Sequence, residues 1–202
     1  MTADHRGPAQ STSADSKRRR PAWWLWPGLL GALLLIAVAG PRVRIDGELR
    51  PPTLAGDLSA EIEAAESALG VDPAVARRIV WHESTARTTT ARSVVSLQGL
   101  SATHRETAPL AEEVAAALGA NLYLARFSGH GLDGAALGAA RANEWVADAD
   151  LAMAIGRRIG DRVVLIGVST GATLALLLAT RPQWRDSLAA TILISPNLAP
   201  RE

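Results

Sequence analysis

Five residues constrain this chain more than any others: Gly167-Val168-Ser169-Thr170-Gly171. They follow an apolar run, Arg162-Val163-Val164-Leu165-Ile166, and open an Ala/Leu-rich run over 172–180. Strand, G-x-S-x-G and helix in that order is the context a nucleophile elbow requires. A serine that projects its hydroxyl from the top of a sheet must sit in a strained turn between the strand and the helix packed on it. A side chain two residues to either side would collide with the closing backbone, and glycine stands at both places. The helix N-terminus just beyond adds partial positive charge and N–H groups where an oxyanion would form.

The length of 202 residues suits one domain with a sizeable core. A chain that is 48% hydrophobic and 20% charged folds rather than staying disordered. A net charge of +1 gives no case for nucleic acid. With no cysteine, a disulfide framework, a thiolate zinc site and a lipidated N-terminal cysteine are excluded, and no cofactor or metal is expected.

Residues 1–21 are polar and end in the basic cluster Lys17-Arg18-Arg19-Arg20, a stretch expected to be disordered. Residues 22–40 form an uncharged apolar run whose length as a helix nearly matches the hydrocarbon core of a bilayer. Trp23, Trp24 and Trp26 stand at its start, beside the basic cluster, where an interfacial belt would lie. The expectation is one N-terminal transmembrane helix, with the N-terminus cytoplasmic and the remainder outside the cytoplasm. Ala37-Val38-Ala39 resembles a signal-peptidase site that would release a secreted protein, but the apolar run is longer than a usual signal-peptide core and favours an uncleaved anchor.

Residues 41–77 read as a linker and a short helix. Gly47, Pro51, Pro52 and Gly56 punctuate the first part. Asp57 is placed to cap a helix over 58–69 with Ile62, Ala65, Ala68 and Leu69 on one face, ended by Gly70. From residue 78 to 202 the chain alternates. Strands are expected over 78–81, 93–97, 121–125, 162–166 and 190–194, with helices over 106–118, 143–159 and 171–180. Strands separated by helices mean βαβ units, hence an α/β fold with a parallel sheet, and the nearly all-apolar strands imply helices on both faces.

In such sheets the site forms at the carboxyl ends of the strands. Two further stretches fall there, Gln98-Gly99-Leu100-Ser101-Ala102 and Ser128-Gly129-His130-Gly131. His130 precedes the candidate nucleophile and lies between two glycines, which reads as a turn-stabilising histidine rather than a base. His82 reads as a loop or surface histidine.

Residues 96–103, then Glu106-Thr107-Ala108-Pro109-Leu110-Ala111, then Gly129-His130-Gly131, then Gly167-Val168-Ser169-Thr170-Gly171 together resemble the α/β-hydrolase superfamily, closest to its bacterial carboxylesterase and monoacylglycerol-lipase-like branch. The resemblance covers about 78–201. It implies Ser169 as nucleophile, the backbone N–H groups of Leu100 and Thr170 as oxyanion hole, and a small-molecule ester or acyl substrate. Gln98 stands where the family usually has a histidine before the glycine. The family's acid and histidine follow two later strands, after a cap region. Here no histidine follows His130, and Asp186 and Glu202 are the only acidic residues after Ser169. The expected core is therefore incomplete at its C-terminal end, with one sheet edge unpaired and no triad unless His82 or His104 substitutes as base. The chain reads as the membrane-anchored portion of a serine esterase, inactive in this form. Thioester or peroxide-forming chemistry fits the same fold, and a non-catalytic anchored fragment or acyl-ligand-binding protein is the alternative.

Overall fold

The computed structural model describes residues 25–39 and 56–198. The chain divides into two compact units, 1–43 and 44–202. In the first, α1 (Leu25–Ala39) is a helix of 15 residues without an acidic residue in its first turn or a basic one in its last. Its side chains over 26–36, Trp26, Leu30 and Leu34 among them, are exposed. At 1.5 Å per residue such a helix is about 22 Å long, against roughly 30 Å of bilayer hydrocarbon. Among the described residues no helix is long and apolar enough to cross a membrane. The expected span over 22–40 is thus seen only as this shorter apolar helix. The basic cluster, Ala22 to Trp24, Gly40 and the Pro/Gly stretch before Gly56 lie outside the described residues.

The second unit runs α2 (Leu58–Ala68), β1 (Arg78–Val80), β2 (Thr90–Leu97), α3 (Leu110–Leu118), β3 (Asn121–Leu124), α4 (Gly134–Ala139), α5 (Ala142–Ile159), β4 (Gly160–Val168), α6 (Thr170–Thr180) and β5 (Leu188–Ile194). The five strands lie in the order β1-β3-β2-β4-β5. Three pairings, β2 with β3, β2 with β4 and β4 with β5, are parallel, as expected. β1 pairs with β3 antiparallel, Ile79 opposite Tyr123, so the sheet is mixed rather than all parallel. The connection explains the difference. Only residues 81–89 join β1 to β2, too few for a helical crossover, so β1 ends at the edge of the sheet where β2 begins.

Alternate residues of each central strand face opposite layers. Val95, Leu97, Tyr123, Val163 and Leu165 pack against α5 and α6, together with Leu58 and Ile62 of α2. Val94, Leu122, Leu124, Val164 and Ile166 pack against Ala111 and Ala115 of α3. Two covered faces require apolar residues at successive positions, which is why these strands read as unbroken apolar runs.

Local chemistry sets the boundaries. Asp57 caps α2, its Oδ1 accepting from Ser59 N at 3.0 Å and Ala60 N at 3.3 Å. The buried stripe of α2 is Leu58, Ile62 and Glu66, not the face of Ala65, Ala68 and Leu69; Leu69 is 54% exposed. The helix expected from 106 begins instead at Leu110, because a 3-10 turn (His104–Thr107) and Pro109 precede it, and it ends at left-handed Gly119 as expected. Among the described residues β5 has a single neighbour, β4, and Ile192 and Leu193, which point to opposite faces, are 39% and 37% exposed.

Candidate active site

Ser169 stands between β4 and α6 with φ +49° and ψ −112°. Such a conformation costs a residue with a β-carbon about 1–3 kcal/mol, so the surroundings must hold it. They do. Ser169 N–H donates to Ile194 O at 2.9 Å, and Ser169 O accepts from Thr173 N at 3.1 Å. A β-carbon on Gly167 would lie 2.6 Å from Ala172 Cα, and one on Gly171 would overlap the carbonyl oxygen of Leu97. Both motif glycines are therefore required by close approach: the first turn of α6 sits directly against the end of β2.

The loop after β2 is tied down residue by residue. With its amide oriented so that both groups are met, buried Gln98 donates to Ala125 O at 2.6 Å and accepts from Phe127 N at 3.0 Å, which is how a glutamine in this position holds the loop. Gly99 N–H donates to Glu106 Oε1 at 2.5 Å and is thereby occupied. Gly99 itself is beside the serine, since a β-carbon on it would be 3.5 Å from Ser169 Cβ. Leu100 is next along the chain. Thr170, as the first residue of α6, has a backbone N–H without an intrahelical acceptor. Of the two candidate oxyanion donors, Thr170 lies in the elbow itself and Leu100 follows the glycine that abuts Ser169.

His130 fastens this loop. Ser101 N–H donates to His130 Nε2 at 3.1 Å, so Nε2 carries no proton, and Nδ1 donates to Ser128 O at 3.2 Å. The ring is buried edge-on between Phe127 and Trp145, with centroids 5.9 and 5.6 Å away. The turn carrying it is gripped from α5, where Trp145 Nε1 donates to Ser128 O at 3.0 Å and Asp148 Oδ2 accepts from Ser128 N at 2.6 Å. Burial pushes the Asp148 carboxyl above its ordinary value. The expected turn-stabilising histidine is found, with the loop of Ser101 as its cargo.

Neither other candidate base reaches the serine. His104 is buried with Nε2 accepting from Arg78 Nη1 at 3.1 Å, and burial and the Arg78 charge push its pKa down. That pair sits at the β1 edge, with β3 and β2 between it and β4. His82 N–H donates to Asn121 Oδ1 at 2.9 Å, where β3 begins, at the end of the sheet opposite Ser169. Asp186 lies in the turn leading into β5, also at that opposite end. Glu202 lies outside the described residues. The partner of Ser169 Oγ is Asn197, whose Nδ2 is 3.1 Å away. Sequence reasoning missed Asn197, which lies in no motif.

Among the described residues no group of three or more His, Asp or Glu could hold a metal ion. A cavity of about 710 Å³ opens between α2 and β1, lined by Ile62, Glu66, Arg77 and Trp81 among others, and Ser169 does not line it.

Residues 88–202, more than half of the chain, match the family described as serine aminopeptidase, S33. The chain belongs to this family of α/β hydrolases. Among solved structures, the S33 hydrolase resembles one from work on the metagenome-derived lipolytic enzymes LipS and LipT, at 24% identity and a TM-score of 0.55, over 65% of this chain and 50% of that one. Est1E from Butyrivibrio proteoclasticus, solved with ferulic acid bound, is 17% identical with a TM-score of 0.48, over 59% of this chain and 48% of that one. An α/β hydrolase from Novosphingobium aromaticivorans DSM 12444 is 22% identical with a TM-score of 0.41, over 58% and 38%. At 24% identity the first of these speaks to fold alone. The chain spans half the length of the first of these structures and less of the other two. No curated protein matches it.

Proposed function

We propose that this S33 hydrolase cleaves carboxylic esters through an acyl-enzyme on Ser169. The observation that carries the reading is the strained Ser169, held at the sheet's carboxyl edge with Gly99 beside it. Ser169 Oγ would bond to the ester carbonyl carbon as its proton passes to a base, and the carbonyl electron pair would move onto an oxygen facing the Leu100 and Thr170 N–H groups. Collapse expels the alcohol with that proton. Water then attacks the acyl-serine, releasing the carboxylic acid and restoring the hydroxyl.

The base must come from outside the described residues, since His82 lies at the opposite end of the sheet, His104 is paired with Arg78 at the β1 edge and His130 Nε2 is taken by Ser101. Without a base the serine is an alcohol of ordinary acidity, and an oxyanion hole with binding alone gives about 10³-fold over water. The 202-residue chain by itself is therefore proposed to be inactive in ester turnover, while its strained serine and oxyanion hole still take up a fluorophosphonate slowly and stoichiometrically. The engagement of Ser169 Oγ by Asn197 favours one second reading, an acyl-ligand-binding protein without turnover.

A fluorophosphonate serine probe on the purified chain, with a Ser169→Ala control, decides between them. Labelling that disappears in the control supports an activated serine. Folded protein that stays unlabelled removes the hydrolase reading for this chain and leaves the second. Labelled protein that cleaves aminoacyl anilides but not aryl esters would replace ester with amide as the substrate class.

The same proposal anchors the protein in the cell membrane through residues 22–40, N-terminus cytoplasmic and hydrolase unit outside. It is supported by the uncharged run, the adjoining basic cluster and the exposed apolar side chains of α1. Protein released from membranes by alkaline carbonate would overturn it.

A further inference from the structure

Arg126 is buried just beyond β3, where a cation needs partners to meet its charge. Its Nε donates to Glu66 Oε2 at 2.5 Å and its Nη2 to Glu66 Oε1 at 2.7 Å, a two-pronged pair with a buried carboxylate of α2. Arg77 joins the same carboxylate, Nε lying 2.8 Å from Oε1, and its backbone N–H donates to Oε2 at 3.1 Å. Burial by itself would raise the Glu66 carboxyl, but the hydrogen bond and charge of Arg126, with those of Arg77, hold it below its ordinary value.

The third guanidinium nitrogen points the other way. Arg126 Nη1 donates to His130 O at 2.8 Å and to Phe127 O at 3.4 Å. His130 is the residue whose ring accepts from Ser101 N–H. The second attachment of the same loop, Gln98, is made to Ala125 O and Phe127 N, the backbone groups on either side of Arg126. Every side-chain tie that residues 98–101 make to the β3 end therefore runs through 125–130, and Arg126 locks that segment to α2.

We infer that Glu66 and Arg126 are positioning residues for the oxyanion loop, with α2 placing His130 through the guanidinium and His130 placing Ser101 and thereby Leu100. The catalytic meaning of this coupling rests on the Ser169 reading; the coupling itself does not. A well-packed apolar pair could fill the same space without a stability loss, so burial is no sufficient reason for the ions. What arginine adds is direction: a rigid plane of donors that can grip a carboxylate on one edge and a carbonyl on another. Lysine, a single point of charge, cannot span both.

Amide hydrogen exchange on the full ¹⁵N-labelled chain tests this, with Arg126→Lys and Glu66→Gln as variants. The loss of one buried hydrogen bond corresponds to about a tenfold change. Ser101 N–H should exchange about tenfold faster in Arg126→Lys, and less so in Glu66→Gln, which keeps one acceptor, while Val95 and Leu165 in the sheet centre keep wild-type protection. The His130 Nε2 nitrogen shift should move in the same variants. Unchanged Ser101 exchange overturns the inference. So does equal acceleration of Ser101 and the central amides, which would make the pair a general stabiliser. If neither variant folds, the wild-type chain decides: Ser101 and His130 amides should open together as denaturant is added, and independent opening overturns the coupling. These readouts do not involve Ser169 chemistry. Absent fluorophosphonate labelling with coupled exchange removes the hydrolase reading alone, and labelling with uncoupled exchange removes the positioning role alone.

Discussion

Asn197 Nδ2 donates to Ser169 Oγ at 3.1 Å, and Asn197 O accepts from Thr173 Oγ1 at 3.1 Å, so this residue, three beyond the end of β5, is pinned to α6 and engages the serine hydroxyl. A donor on Oγ occupies a lone pair that attack on a carbonyl needs. That bond must break as the serine reacts, and a net hydrogen bond is worth about 0.5–1.5 kcal/mol. Asn197→Leu should therefore raise the rate of Ser169 labelling by a fluorophosphonate about 2- to 10-fold. A slower rate would mean that Asn197 aims the serine instead of restraining it.

The elbow's packing predicts opposite signs for one substitution at two glycines. A β-carbon at 171 would overlap Leu97 O and come within 2.5 Å of Gln98 O, backbone atoms that cannot swing aside. Gly171→Ala should cost about 3 kcal/mol in urea unfolding. Gly138, inside α4, has nothing within 4 Å of its β-carbon position, so Gly138→Ala should stabilise by up to about 1 kcal/mol. Equal losses at both sites would contradict the close contact of α6 with β2.

The elbow, the strands and the helix-ending Gly119 were legible because each rests on local chemistry: an apolar run, a forced glycine, a left-handed cap. What was not legible depends on partners far along the chain. The direction of β1 is set by its short link to β2 and by pairing with β3, and a run of three residues carries no direction. Glu66 takes a buried place on α2 because Arg126, 60 residues on, meets its charge, and periodicity alone ranks Ala65 and Leu69 above it. The helix α4 was missed because its two glycines lower its intrinsic propensity. Asp133, accepting from Ala136 N at 2.8 Å, was the available signal. Asn197 acts through a position that only the folded sheet creates.

Acid should destabilise the fold in two stages. His104 has its pKa held below the ordinary 6.5 by burial and Arg78, so its contribution is complete above 6.5 and is lost as pH falls through the folded value. Glu66, held below 4.5 because Arg126 and Arg77 outweigh burial, adds a second loss at lower pH with the same sign. Asp148, raised above 3.8 by burial, works in the opposite direction and offsets part of it. The urea midpoint should fall as pH drops from 7, and His104→Gln should remove the first stage only. A midpoint flat from pH 7 to 5 in the unmodified chain would contradict the buried, neutral His104.

The last prediction concerns β5. An interior strand buries residues on both faces and pairs on both edges. β2 does so, whereas β5, among the described residues, pairs only with β4 and leaves Ile192 and Leu193 exposed on opposite faces. A strand edge with unmet N–H and C=O groups, flanked by apolar side chains, templates pairing with another chain. Lysine on such an edge opposes pairing, because docking would bury its charge. In sedimentation velocity over a concentration series in mild detergent, the full chain should associate increasingly, and Ile192→Lys should shift it toward monomer with an unchanged circular dichroism spectrum. Since β5 also supplies the Ile194 carbonyl that holds Ser169 N–H, association through this edge and order at the elbow are physically linked, and suppressing the first should leave the second intact if only the outer edge is used.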